Sequence, residues 1–161
     1  MDGTKTTKII DAKTARAKAE HYCAYQERSQ QEVRDKLYEW GLRSGDVEQT
    51  VTWLIENNFI NEERFAREYA LGKFRQKGWG RVKIKQGLKF KRVPDVLIKK
   101  ALKLIPADEY VITLENILEK KARLITERDP FKRNYKLKQY AMGRGYESDL
   151  IGDVLRDGEM G

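Results

Sequence analysis

Residues 29–54 read SQQEVRDKLYEWGLRSGDVEQTVTWL and hold two short apolar stripes separated by a glycine. Val33 and Leu37 stand four apart, and Val47, Val51 and Leu54 follow at spacings of four and three. Such intervals put each set on one face of an α-helix, whose period is about 3.6 residues. Ser29-Gln30-Gln31-Glu32 has the form of a capping box, in which the Ser hydroxyl and the Glu carboxylate satisfy free backbone donors at a helix start. Gly41 and Leu42 lie between the stripes, so the segment predicts a helix, a turn and a second helix.

The same pattern recurs. Displaced by 51 residues, Val33, Leu37, Leu42, Val47, Val51 and Leu54 fall on Ile84, Leu88, Val93, Ile98, Leu102 and Ile105. A further step of 53 carries the first five of these onto Leu137, Ala141, Tyr146, Ile151 and Leu155. Gly41, Arg92 and Gly145 occupy the equivalent turn. Ahead of each hairpin runs another helical stretch, at 14–26, 62–76 and 108–127, with Phe65 and Tyr69 matching Leu118 and Ala122. Asp129-Pro130 supplies an N-cap followed by a first-turn proline, and Gly78-Trp79-Gly80 is the corresponding break in the middle unit. The fold expected is all-α: three tandem three-helix repeats of the helix-turn-helix kind in an elongated, curved array. Each unit of about 50 residues is too small to bury its own core fully and shares apolar faces with its neighbour. The divisions are a basic tail over 1–13 and repeats over 14–58, 59–106 and 107–161.

With 40% hydrophobic and 36% charged residues the chain has material for a core beneath a heavily solvated exterior. Its net charge of +8 favours an anionic partner. That charge is concentrated: 73–103 holds twelve Lys and Arg against Asp95 alone, or 12 − 1 = +11, and the rest sums to 21 − 24 = −3. On a helix starting near Arg81, with Ile84 and Leu88 inward, Arg81, Lys85, Lys89 and Arg92 share one flank and Lys83 and Lys91 lie on others. Arg75, Lys77 and Trp79 precede it, and these nine residues form the expected filament- or DNA-binding set. Phe74 is expected in the core, while Trp79 and Phe90 suit either the core or stacking on bases.

Little supports catalysis. Cys23 is the single cysteine and His21 the single histidine, so neither an intramolecular disulfide nor a Cys/His zinc site can be assembled. Glu62 and Glu63, being adjacent on a helix, point about 100° apart and do not form a catalytic pair. Gly78-Trp79-Gly80-Arg81 lacks the Gly-Lys-Ser/Thr ending of a phosphate-binding loop. No catalytic, cofactor-binding or metal-binding residue is expected, nor a membrane span.

The run Leu54-Ile55-Glu56-Asn57-Asn58-Phe59-Ile60-Asn61-Glu62-Glu63-Arg64-Phe65-Ala66 resembles the central signature of the RecX regulatory proteins. Tyr22 with Ser29, Glu32-Val33, Lys36-Leu37 and Lys77-Gly78 extend the resemblance over about residues 15–157. It implies tandem three-helix units without a catalytic centre. It also implies a target, the RecA filament on single-stranded DNA, in whose groove the protein lies to restrain recombinase, ATPase and coprotease activity. Within the signature, Asn61, Glu62, Arg64, Phe65 and Ala66 serve either to dock one unit on the next or to contact RecA, with Arg64 pairing locally with Glu63, Glu68 or Glu56 in the first case. The third unit lacks a counterpart of Arg64-Phe65-Ala66. The reading is a non-enzymatic, cytoplasmic negative modulator of RecA, monomeric when free, touching single- or double-stranded DNA through its basic face. The alternative is a stand-alone nucleic-acid-binding helical repeat protein.

Overall fold

The apolar intervals become nine α-helices among residues 10–158, the part of the chain that the structure, a computed structural model, describes. They are α1 (Ala12–Tyr25), α2 (Gln30–Glu39), α3 (Ser44–Glu56), α4 (Glu62–Lys77), α5 (Arg81–Phe90), α6 (Asp95–Leu102), α7 (Ala107–Leu124), α8 (Pro130–Gly143) and α9 (Ser148–Gly158). No strand occurs among the described residues. Of the tail expected over 1–13, residues 1–9 lie outside the described part. Ala12 and Lys13 already open α1, because the Asp11 side chain caps it, accepting the Thr14 N–H at 2.8 Å.

The caps foreseen from sequence form. Ser29 accepts from the Glu32 N–H at 3.0 Å while the Glu32 carboxylate accepts the Ser29 N–H at 3.3 Å. Asp129 accepts from the Lys132 N–H at 3.0 Å with Pro130 behind it. The turn within each hairpin passes through the left-handed region at the three equivalent positions, with φ of 90° at Gly41, 61° at Arg92 and 97° at Gly145. Glycine takes that conformation without a Cβ clash; Arg92 adopts it at a cost of about 1 kcal/mol.

Seventeen apolar positions set the repeat, and sixteen are buried: Val33, Leu37, Val47, Leu54, Ile84, Leu88, Leu137, Ala141 and Ile151 reach 0% exposure and the others stay below 9%. Leu102 is the exception. It is half-buried, and Ala101 and Ile105 fill the core in its place, because α6 has only two turns and ends there.

The chain packs as two compact units, one up to Glu68 with Lys91–Val93, the other of Tyr69–Phe90 with Pro94 onward. The core of the first joins Ala15, Ala19 and Cys23 of α1 to Val33, Leu37, Val47, Val51 and Leu54 of α2 and α3. Short side chains on α1 admit close approach, and Tyr22, Trp40, Trp53 and Phe59 close the edges. The second is organised on an aromatic line: the Phe74 ring lies 5.8 Å from Tyr110, and Tyr110 lies 4.9 Å from Tyr146. Phe74 is core, as expected.

Candidate nucleic-acid interface

Within the second unit, Ile84 and Leu88 turn α5 so that Val82, Lys85, Gln86, Lys89 and Phe90 face solvent. Lys85 and Lys89 are exposed and have no ion-pair partner among the described residues. Phe90 is 86% exposed and Val82 43% exposed. The face is therefore an ammonium pair one turn apart beside a bare aromatic ring, able to meet phosphate and base together.

The other expected contacts are partly used inside the fold. Arg81 begins α5, and its backbone N–H donates to Tyr110 Oη at 2.9 Å. Its guanidinium lies 3.9 Å from the Tyr110 ring centroid and its Nη1 donates to the Glu147 carboxylate at 3.1 Å. Tyr110 Oη in turn donates to the other oxygen of Glu147 at 2.5 Å. Burial and that acceptor push the Tyr110 phenol well above its ordinary value, so it remains a donor. Arg81 thus serves as a strut. Arg75 pairs across the surface with Glu109 at 3.6 Å. Trp79 is half-buried, edge-on to Tyr69, with Lys73 and Lys83 at 5.0 and 4.6 Å from its centroid. Its face is covered by the protein's own cations. Lys77 is exposed, and its carbonyl accepts from Arg144 Nη2 at 2.5 Å.

Lys91 and Arg92 belong to the first unit. Lys91 pairs with Glu32 at 3.6 Å, and Arg92 is exposed at its turn. The flank of four cations read from sequence thus loses Arg81 to an ion pair within the fold, and the sequence offered no sign of it because Glu147 lies 66 residues away. Phe90 joins the face. Its helical position placed it outward, but its aromatic character left the core equally open.

The signature residues 61–66 make contacts inside the fold. Asn61 Oδ1 accepts the Arg64 N–H at 2.8 Å and so caps α4. Glu62 accepts the Gln30 N–H at 2.8 Å, satisfying the start of α2 from another helix, and burial raises its carboxyl above the usual value. Arg64 Nε lies 2.6 Å from the Glu27 carboxylate, and its Nη atoms reach the Asn58 side chain and carbonyl at 3.2 Å. The partner is Glu27, not Glu56, Glu63 or Glu68, because the Arg64 side chain extends toward the α1–α2 loop. Phe65 and Ala66 are buried at 5% and 1% exposure. In both units, moreover, the first N–H of a repeat's second helix is capped by a side chain from the following repeat's first helix: Gln30 by Glu62, and Arg81 by Tyr110. Among the described residues there is no cluster of three metal-ligating side chains, and no helix is long and apolar enough to cross a membrane.

Residues 15–54, 61–102 and 108–155 match, in order, the first, second and third three-helix domains of RecX. The chain belongs to the RecX family. It is 31% identical over 134 residues to "Regulatory protein RecX" of Clostridium acetobutylicum, covering 81% of this chain and 62% of that protein. With "Regulatory protein RecX" of Haemophilus influenzae it shares 29% identity over 133 residues, covering 82% of this chain and 86% of that one. The RecX of Clostridium perfringens strain SM101 is 29% identical over 131 residues, and this chain spans 61% of its length, about three fifths, as it does for several clostridial relatives. In fold, this RecX-family chain superposes on the crystal structure of RecX from Lactobacillus salivarius with a TM-score of 0.82, covering 91% of this chain and 95% of that one at 24% identity. A second crystal structure, of regulatory protein RecX, gives 0.79 at 21% identity, covering 96% and 80%.

Proposed function

We infer that this RecX-family chain regulates RecA by binding its filament on DNA, in the cytoplasm and without chemistry of its own. Membership of a family of regulatory proteins through all three domains is the observation that carries this reading. The finer part is that the chain lies in the filament groove and restrains recombinase, ATPase and coprotease activity, with α5 toward the phosphates. Lys85, Lys89 and Phe90 support it, being the cationic and aromatic side chains that α5 presents to solvent. Within the same unit Arg75, Arg81, Lys83 and Trp79 are engaged by protein contacts and Lys77 is exposed, while Lys91 and Arg92 belong to the first unit. A bound chain shifts the filament between states only by its difference in affinity for them.

RecA ATPase on single-stranded DNA, measured with wild-type chain and with Lys85→Glu/Lys89→Glu, tests this. Loss of ATPase with the wild type, weakened in the variant, is expected. The variant should also flatten the dependence of log affinity on log salt by about 1.4 on single strands, two contacts at roughly 0.7 each. If ATPase is untouched while salt-sensitive DNA binding persists without RecA, the chain is a stand-alone nucleic-acid-binding protein.

A further inference from the structure

In the third repeat, α8 presents a second face that neither the family resemblance nor the α5 cations explain. Leu137 and Ala141 are fully buried and fix the rotation of the helix. Phe131, Tyr135, Lys138 and Met142, at i, i+4, i+7 and i+11, then run along one outer flank. Phe131 is 82% exposed, Tyr135 61% and Met142 42%. Tyr135 forms a ridge between two open grooves. One, of about 340 Å³, is lined by Phe131, Asn134, Lys138, Leu155 and Arg156; the other, of about 570 Å³, has Leu124, Ile125 and Tyr140 in its lining.

At four other rings the protein's own cations lie over the face, although Phe90 is bare as well. Arg28 lies 3.8 Å from the Tyr22 ring centroid, Lys18 4.5 Å from Trp40 and Arg16 4.2 Å from Trp53. Lys121 sits 4.7 Å from Tyr140. No such cation or neighbouring ring covers Phe131 or Tyr135 among the described residues, although Lys132 and Lys138 share their helix.

The surrounding charge decides the kind of partner. From Lys120 to Arg144 there are nine Lys and Arg and two acids, Glu127 and Asp129, or 9 − 2 = +7, and α9, which lines the first groove, adds Arg156 against Asp149, Asp153 and Asp157, or 1 − 3 = −2, leaving +5. The acids beside the rings are occupied: Glu127 lies 3.8 Å from Lys136, Asp129 caps α8, and Asp153 pairs with Arg156. An apolar protein partner would need no such field, and a duplex would hide its base faces from the rings. Bare aromatic rings one turn apart, open grooves on either side and flanking ammonium groups suit a strand whose unpaired bases can stack while its phosphates meet Lys132 and Lys138.

We propose that Phe131 and Tyr135 of α8 form a base-stacking site for single-stranded nucleic acid, separate from the α5 face. The probe is an oligo(dT) of about 16 nucleotides, near the upper footprint of a single-strand-binding domain, compared by fluorescence anisotropy with an abasic strand of equal length and no RecA present. Wild-type chain binds oligo(dT) tighter than the abasic strand. Phe131→Ala and Tyr135→Ala each weaken oligo(dT) binding by roughly five- to 150-fold, as expected for one lost stack. They leave abasic binding and the salt slope unchanged. Phe131→Trp and Tyr135→Trp retain or tighten binding, which separates stacking from a folding defect. Equal affinity of the wild type for the two strands, or alanine variants with wild-type affinity for oligo(dT), overturns the proposal. So does a loss confined to the effect on RecA filaments, which would make this a protein-docking face. The Phe131→Ala and Tyr135→Ala losses persist in a Lys85→Glu/Lys89→Glu/Phe90→Ala background, so this result is independent of the α5 reading.

Discussion

Arg64 and Glu27, 37 residues apart, meet at 2.6 Å and join the start of α4 to the α1–α2 loop. Both side chains are about a quarter exposed, at 27% and 28%, and one Glu27 oxygen is buried without a hydrogen-bond partner. Breaking a fully buried pair from one side costs about 3–5 kcal/mol; residual solvent reduces this here to about 2 kcal/mol for Arg64→Ala. Thermal unfolding should show Tm falling by roughly 4–8 °C. Arg64→Ala/Glu27→Gln should recover part of that loss. Full stability of Arg64→Ala together with lost RecA binding would instead make Arg64 a contact residue.

Glu62 gives a pH signature. Its carboxyl is raised above the ordinary value of 4.5, first by burial and against the hydrogen bond from the Gln30 N–H. The folded chain therefore holds this proton more tightly than the unfolded one. Its contribution is most favourable below about 4.5 and is lost as pH rises through the higher folded value. Glu62→Gln keeps an oxygen for the Gln30 N–H and removes the titration. Wild type should lose stability relative to Glu62→Gln as pH climbs from about 4.5, and Glu62→Ala should be about 1 kcal/mol less stable than Glu62→Gln at any pH from the lost cap. Parallel melting curves for wild type and Glu62→Gln across that range would refute this.

Two glycines of the second unit face opposite outcomes. A Cβ on Gly80 would sit 2.3 Å from the Gly145 carbonyl oxygen, at a place where the Gly80 N–H donates to the Arg144 carbonyl at 2.8 Å. A Cβ on Gly72, inside α4, meets nothing within 4 Å. Gly80→Ala should destabilise by about 3 kcal/mol, because backbone must move, and Gly72→Ala should stabilise by about 0.5–1 kcal/mol through helix propensity. Urea midpoints measured side by side decide it, and similar values for the two variants would contradict the packing described.

Cys23 is 8% exposed, and burial pushes its thiol up from 9.0 to about 11. Thiolate is the reacting species, so iodoacetamide near pH 8 should label the folded chain about 100-fold more slowly than the urea-unfolded chain. Equal rates would mean that α1 opens readily.

Much of this protein was legible before any coordinates. The displaced apolar positions gave the hairpin helices and sixteen of the twenty-nine buried apolar residues, because core-facing positions are set by local periodicity, and a helix turns one residue after another without reference to distant chain. Caps such as Ser29 with Glu32, and the turn shared by Gly41, Arg92 and Gly145, are likewise local. Leu102 failed because a two-turn helix ends before its last apolar side chain is covered.

The sequence by itself determined the repeat, its family and the concentration of positive charge. Only the tertiary structure decided which charges remain free. Arg81 is claimed by Glu147, Lys91 by Glu32 and Arg64 by Glu27. Lys85 and Lys89 stay in water, and Phe90, Phe131 and Tyr135 stay bare. A guanidinium is held by whichever carboxylate folding brings within hydrogen-bond reach. Those carboxylates lie 37 and 66 residues away for Arg64 and Arg81, a distance over which no local pattern carries information.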